Sequence, residues 1–263
     1  MNVFFFGGGE RRLFGVYEAA RRVDSTRAAV LCPAWGTEYI HAHRAMRRLA
    51  KMLTAENVHT LRFDYFGVGD SAGETEVGDL RGWETDIRTA VEELKDSTGA
   101  TQVSLVGLRL GATLAANVAV EEAANVGSLV LWDPVVYGTE HLAELYRTAG
   151  TGRLWKRRPG AGSKNVCGVH NIMGFPMTPA LAAEIRQIDL AALAPRLPAR
   201  TLTLASQAVP SHVRLQQALD QREAALAVEH IDSPPVWVEW PLGHPLAGTV
   251  PVQVLQRIVE WLA

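Results

Sequence analysis

Val106-Gly107-Leu108-Arg109-Leu110-Gly111-Ala112 is the stretch on which the reading of this chain turns. Before it, Gln102-Val-Ser-Leu-Val106 is a short apolar run that reads as a buried strand. After it, an alanine-rich run to about Ala124 reads as a helix. Two glycines four positions apart let a strand turn sharply into a helix and hold one side chain above the sheet, the spacing of a nucleophile elbow, G-x-S-x-G. Alone this spacing means little; between a strong strand and a strong helix it is specific. The side chain presented is Arg109, at the position where such an elbow carries serine.

Working outward, short apolar runs alternate with helix-period stretches, the pattern of a mainly parallel sheet flanked by helices. Val3 to Gly7 and Leu13 to Ala19 read as a β-hairpin around a glycine-rich turn. Arg27 to Pro33 and Val58 to Asp64 read as strands, with a helix from about His43 to Glu56 between them. A helix over about Trp83 to Lys95 precedes the elbow, and the strand Ser128 to Trp132 follows its helix. Alternation resumes with a strand at Thr201 to Ala205, a helix from about Val213 to Leu226, a strand at Val236 to Trp240 and a last helix from about Val250 to Leu262. Residues 1–134 and 200–263 therefore form an α/β core, and residues 135–199, where no clear strand is visible, form a cap-like insertion. Within the insertion, Trp155 to Ser163 is basic and glycine-bearing and reads as a mobile loop.

The 263 residues suit one large α/β domain, and a formal net charge of −2 argues against a nucleic-acid partner. Two cysteines, Cys32 and Cys167, make no disulfide framework and point to a reduced, cytoplasmic setting. The opening residues carry no basic leader, and no run approaches the roughly 20 apolar residues of a membrane span.

The chain resembles the α/β-hydrolase superfamily, within it the serine-aminopeptidase-like branch, and within that the second type of exosortase-A-system-associated hydrolase. The resemblance rests on Phe5-Phe6-Gly7, Arg12 to Tyr17, Arg62-Phe63-Asp64-Tyr65-Phe66-Gly67-Val68-Gly69-Asp70-Ser71 and Gly107-Leu108-Arg109-Leu110-Gly111, and covers nearly the whole chain, loosely in the insertion. It implies an α/β-hydrolase fold, a biosynthetic or export-linked pathway, and arginine as a recurring residue at the elbow. It implies a histidine after the last strand, where Gly243-His244-Pro245 lies. The usual acid position, Ser206-Gln207-Ala208-Val209-Pro210, offers no carboxylate; some members place the acid one strand earlier, where Asp133 lies. The oxyanion loop falls on Pro33-Ala34-Trp35-Gly36-Thr37-Glu38, with backbone N–H groups there and at Leu110 facing the pocket.

The expected site is thus His244, Asp133 and Arg109 for chemistry, and Arg109, Trp35, Gly36, Glu38 and Leu110 for substrate binding, with no cofactor and no metal. Each has a plainer reading: His244 as a satisfied polar residue near a strand end, Asp133 before Pro134 as a turn former, and Arg109, with Asp133 and Glu38 within reach to match its charge, plugging a dead site through a pair with Asp133. Asp64 and Asp70 read as braces of the Gly67 to Gly69 turn, which lacks the residues of a nucleotide cradle. Cys32 reads as core, Cys167 and His170 fall short of a zinc set, His41 and His43 read as solvated or capping, and Lys156-Arg157-Arg158 as a solvated loop.

Three functional readings follow. The chain binds an acyl or carboxylate ligand, or a partner protein, without catalysis. Or it is a lyase, cyclase or water-using hydrolase acting through His244 and Asp133 on a small or carrier-bound acyl substrate. Or it cleaves esters, thioesters or amides with a displaced nucleophile, Ser71, Ser206 or Cys32.

Overall fold

A computed structural model describes residues 1–151, 168–221, 226, 228–240, 244–246 and 248–263. β1 (Asn2–Phe6) and β2 (Leu13–Glu18) form the expected antiparallel hairpin, and β2 pairs antiparallel with β4 (His59–Phe63). The other strands run parallel: β3 (Ala28–Cys32), β5 (Val103–Leu108), β6 (Val126–Trp132), β9 (Thr201–Ala205) and β10 (Val228–His230). The order across the sheet is β1-β2-β4-β3-β5-β6-β9-β10. Every residue of β3 and β9 is buried, as in strands covered by helices on both faces.

On one face α1 (Thr37–Ala55) and α8 (Val252–Leu262) pack Leu49, Leu53, Val254 and Ile258 onto Leu31, Val106 and Val130. On the other, α2 (Leu80–Thr98) brings Trp83, Ile87 and Leu94 against α3 (Leu110–Glu121). The limits of α2 are chemical. The Asp79 carboxylate accepts from Gly82 N–H at the start, and Gly99, at φ 69°, ends the helix in the left-handed region.

The chain from β3 leads to β4 on one side, whereas β5 lies on the other. That reversal opens a crevice at the C-terminal ends of β3 and β5, where ligands sit in open α/β sheets. Gly36 (φ 69°) turns the chain into α1 at Thr37, six residues before the expected start, so Glu38 sits in the first turn of a helix and not in a loop.

Other differences have local causes. Val236 to Trp240 is not a strand; Pro234 and Pro235 remove two backbone donors where pairing would begin, and the last parallel strand is β10. The helix expected from Val213 starts instead at Pro210 and ends at Leu219, forming α7, with proline in a helix's first turn where its missing N–H costs nothing. Residues 135–199 hold α4 (Gly138–Thr151), α5 (Pro179–Arg186), α6 (Leu190–Leu193) and an unexpected hairpin of β7 (His170–Ile172) and β8 (Phe175–Met177). Its turn, Met173 and Gly174, has positive φ at both residues, as tight hairpins demand, and strands of three residues leave little pattern to read. The basic loop at 155–163, Cys167 and Gly243 lie outside the described residues. Among those described, no helix is long and apolar enough to cross a membrane.

Candidate functional site

The elbow forms as the glycines require. A Cβ on Gly111 would lie 2.2 Å from the Pro33 carbonyl oxygen, and one on Gly107 would lie 2.3 Å from Ala112 Cα. Both contacts are with backbone, so neither position admits a side chain without moving β3, β5 or α3. Arg109 stands at the N-cap of α3 with φ 55° and ψ −122°, a conformation that costs a non-glycine residue roughly 1–3 kcal/mol. Its N–H donates to the Trp132 carbonyl (3.0 Å), and its carbonyl accepts from Ala112 N–H (3.0 Å).

The Arg109 guanidinium is 8 % exposed as a residue and is gripped from three sides. Nε donates to Glu38 Oε1 (3.0 Å), and Nη2 donates to Glu144 Oε2 (2.5 Å) and lies 3.4 Å from His141 Nδ1. The group also lies over the Trp237 ring, 4.8 Å from its centroid. Nη1 makes no hydrogen bond to a described residue. Burial works against the charge of Arg109, but Glu38 and Glu144 outweigh it and hold the guanidinium above its usual range. Burial pushes the Glu38 carboxyl up to about 7 despite Arg109 beside it, and Glu38 Oε2 has no hydrogen-bond partner. Burial, then Arg109, hold His141 well below the usual imidazole range, so it is neutral.

The ion pair expected between Arg109 and Asp133 is replaced by pairs with Glu38 and Glu144. Asp133, at φ 45° and 1 % exposed, spends both oxygens on Ser206, accepting from its N–H and its hydroxyl at 2.6 Å each. Burial raises its carboxyl to about 6. His244 stacks on Trp240 (4.5 Å between centroids), and its Nδ1 accepts from Leu246 N–H (3.2 Å), with no bond to Asp133. The three residues expected to do chemistry do not form a relay here.

A cavity of about 140 Å³ opens beside the elbow, lined among others by Arg109, Asp133, Tyr137, His141, Glu144 and Trp237. His212, on α7, also lines it and donates from Nδ1 to the Gln207 carbonyl (3.2 Å). Of the expected substrate-binding residues, Arg109 lines this cavity and Glu38 reaches it only through Arg109. Trp35 is buried against Trp83 and Phe175, Gly36 supplies the turn into α1, and Leu110 is fully buried.

Glu38, His141 and Glu144 bring ligand atoms within 4.8 Å of one another, a set able to hold a metal ion. Arg109 already occupies that set, and a divalent ion would meet its charge. Sequence reading missed His141, Glu144, His212 and Trp237. The spacing of His141 and Glu144, three apart, would have placed both on one face of a helix had α4 been expected. Asp64 and Asp70 do brace the glycine turn: Asp64 accepts from Asp70 N–H (3.0 Å) and from the Tyr39 hydroxyl (2.7 Å). Cys32 is a buried core thiol.

The fold is that of the α/β hydrolases. The profile of the serine aminopeptidase family, S33, matches residues 38–166, just under half of the chain. Est1E from Butyrivibrio proteoclasticus, solved with ferulic acid bound, superposes with a TM-score of 0.69 at 16 % identity, over 98 % of this chain and 97 % of its own. The Pyrococcus furiosus esterase Pf2001 gives a TM-score of 0.68 at 16 % identity, over 99 % and 89 %. A serine hydrolase from Xanthomonas campestris described as lacking a lid gives 0.60 at 14 %, over 99 % and 93 %. No curated protein matches the chain.

Proposed function

We propose that this α/β-hydrolase-fold protein binds an acyl or other carboxylate-bearing small molecule without forming a serine acyl-enzyme, and that Arg109 is the anion anchor. The observation that carries the reading is the guanidinium itself, mounted on the elbow, lining the cavity and leaving Nη1 without a hydrogen bond to any described residue. A guanidinium fork suits a planar carboxylate, which it can hold by two parallel bonds. Catalysis through His244 and Asp133 is the weaker reading, because both spend their hydrogen bonds elsewhere. The segment 135–199 serves as a cap that contributes His141 and Glu144 to the ligand's surroundings. The setting that fits is a biosynthetic step handling acyl or carboxylate intermediates.

Calorimetry with a series of free carboxylates on wild type, Arg109→Lys and Arg109→Ala tests this. A hydrogen bond to a charged group is worth roughly 1.5–3 kcal/mol, so alanine should weaken binding about tenfold to a hundredfold. Lysine should rescue only part, because it cannot offer the planar two-point contact. Equal affinities across the three proteins would overturn the proposal.

A further inference from the structure

A second cavity, of about 100 Å³, lies apart from the elbow, between the first half of α1 and strands β2, β3 and β4. Its floor is apolar, with Val16, Leu31 and Met46, and Ala42 forms part of the helix wall. One cation opens onto it, Arg62, which pairs in register with Val16 on β2 and Leu31 on β3 and so shares their face of the sheet.

Arg62 is poorly served for a buried charge. Its side chain is 13 % exposed, and its Nε is fully buried with no hydrogen-bond partner. The one carboxylate paired with it, Glu18 Oε1, lies 3.6 Å from Nη2, too far for a hydrogen bond, and is itself unpartnered. Buried guanidinium groups are ordinarily hydrogen-bonded on several nitrogens, so the terminal nitrogens of Arg62, left without a hydrogen bond to any described residue, call for an acceptor from outside. The two acidic groups in the lining do not fill the role: Asp64 is committed to the Tyr39 hydroxyl and the Asp70 N–H, and Asp70 makes no pair with Arg62. His43, also on the rim, is held below its usual range by burial and then by Arg62, so it adds no competing charge.

We infer that this cavity is a binding site for a short aliphatic carboxylate, whose head pairs with Arg62 and whose body lies on Val16, Leu31 and Met46. A hollow of about 150 Å³ accepts a benzene ring, so the smaller space here suits a chain of roughly two to four carbons. The site is independent of Arg109 and stands whether or not that residue anchors a ligand.

The test is an NMR or calorimetric titration of acetate through hexanoate into four proteins: wild type, Arg109→Met, Arg62→Met and Ala42→Leu. Arg109→Met removes any contribution from the elbow. Propionate and butyrate should bind Arg109→Met as they bind this site in wild type, and bind Arg62→Met at least tenfold more weakly. Ala42→Leu, which fills the hollow and leaves the charge, should weaken the longer acids more than acetate. The matching alcohols and inorganic phosphate should bind at least tenfold more weakly than the acids. Carboxylate binding that survives unchanged in Arg62→Met overturns the inference. So does the absence of binding to folded Arg109→Met at about 10 mM, which would leave the cavity to water.

Discussion

Replacing Arg109 with methionine keeps an unbranched side chain on the elbow and removes the charge between Glu38 and Glu144. Glu38, with a side chain 6 % exposed, is then left buried without a counter-ion. In the native protein burial already carries its carboxyl from an ordinary 4.5 to about 7. The folded state therefore holds this proton more tightly than the unfolded chain does. The contribution of Glu38 to stability is full below 4.5 and is lost as pH rises through about 7, a loss of about 3 kcal/mol. Without Arg109 the carboxyl rises further and the loss continues to higher pH. At about pH 8.5, keeping Glu38 neutral in the variant costs about 5 kcal/mol against the native 3, about 2 kcal/mol that adds to the lost contact with Glu144. At about pH 5 Glu38 is protonated in both proteins, so this difference vanishes and the ion pair lost is the partly exposed one with Glu144, about 1 kcal/mol or less. For a domain of this size the expected Tm drop is about 4–12 °C at the higher pH and about 2–4 °C or less at the lower. Circular-dichroism melts across this range measure it, and Arg109→Met with Glu38→Gln should lose the pH dependence. A drop that is the same at both pH values would refute the reasoning.

Gly111→Ala should destabilise the protein by about 3 kcal/mol or more in urea denaturation, because its Cβ meets backbone oxygen, whereas Gly8→Ala, with nothing within 4 Å, should stay within about 0.5 kcal/mol. Fluorophosphonate probes should label no serine, since Ser206 donates to Asp133 and Ser71 donates to the Asp64 carbonyl; stoichiometric modification of either in mass spectra would revive a displaced nucleophile. Arg109→Ser should gain no more than trace esterase activity, because Asp133 and His244 are not joined, and robust turnover of p-nitrophenyl esters would show that arginine was the sole block. Carboxylate binding at the elbow should weaken as pH rises above about 7, since an incoming anion favours protonated Glu38; calorimetry showing no proton uptake would contradict this.

The fold was legible because its signals are local. The apolar run Ala28–Cys32 and the β-branched and leucine alternation of Thr201–Ala205 read as covered strands, and Gly107 and Gly111 admit no side chain. Arg109 could be placed at the pocket from that turn alone. Of its partners, Glu38 was within reach from the segment after β3, although it stands on a helix that begins earlier than its apolar period; Glu144 was not, because it comes from a segment whose pattern is weak. Asp133 and His244 each lie near the expected place in the chain. Whether they touch depends on side-chain partners, Ser206 for one and Trp240 with Leu246 N–H for the other, that no motif spacing records. The misread strand at Val236 to Trp240 shows two prolines outweighing good β-formers.

The central claim is that the elbow presents an anchor in place of a nucleophile, and a crystal structure of the protein with a bound carboxylate tests it most directly. The ligand oxygens are expected within about 3 Å of Arg109 Nη1, in the cavity beside His141 and Trp237, with no covalent bond to the protein. A ligand joined covalently to any side chain, or seated away from a guanidinium still closed on Glu38 and Glu144, would contradict it.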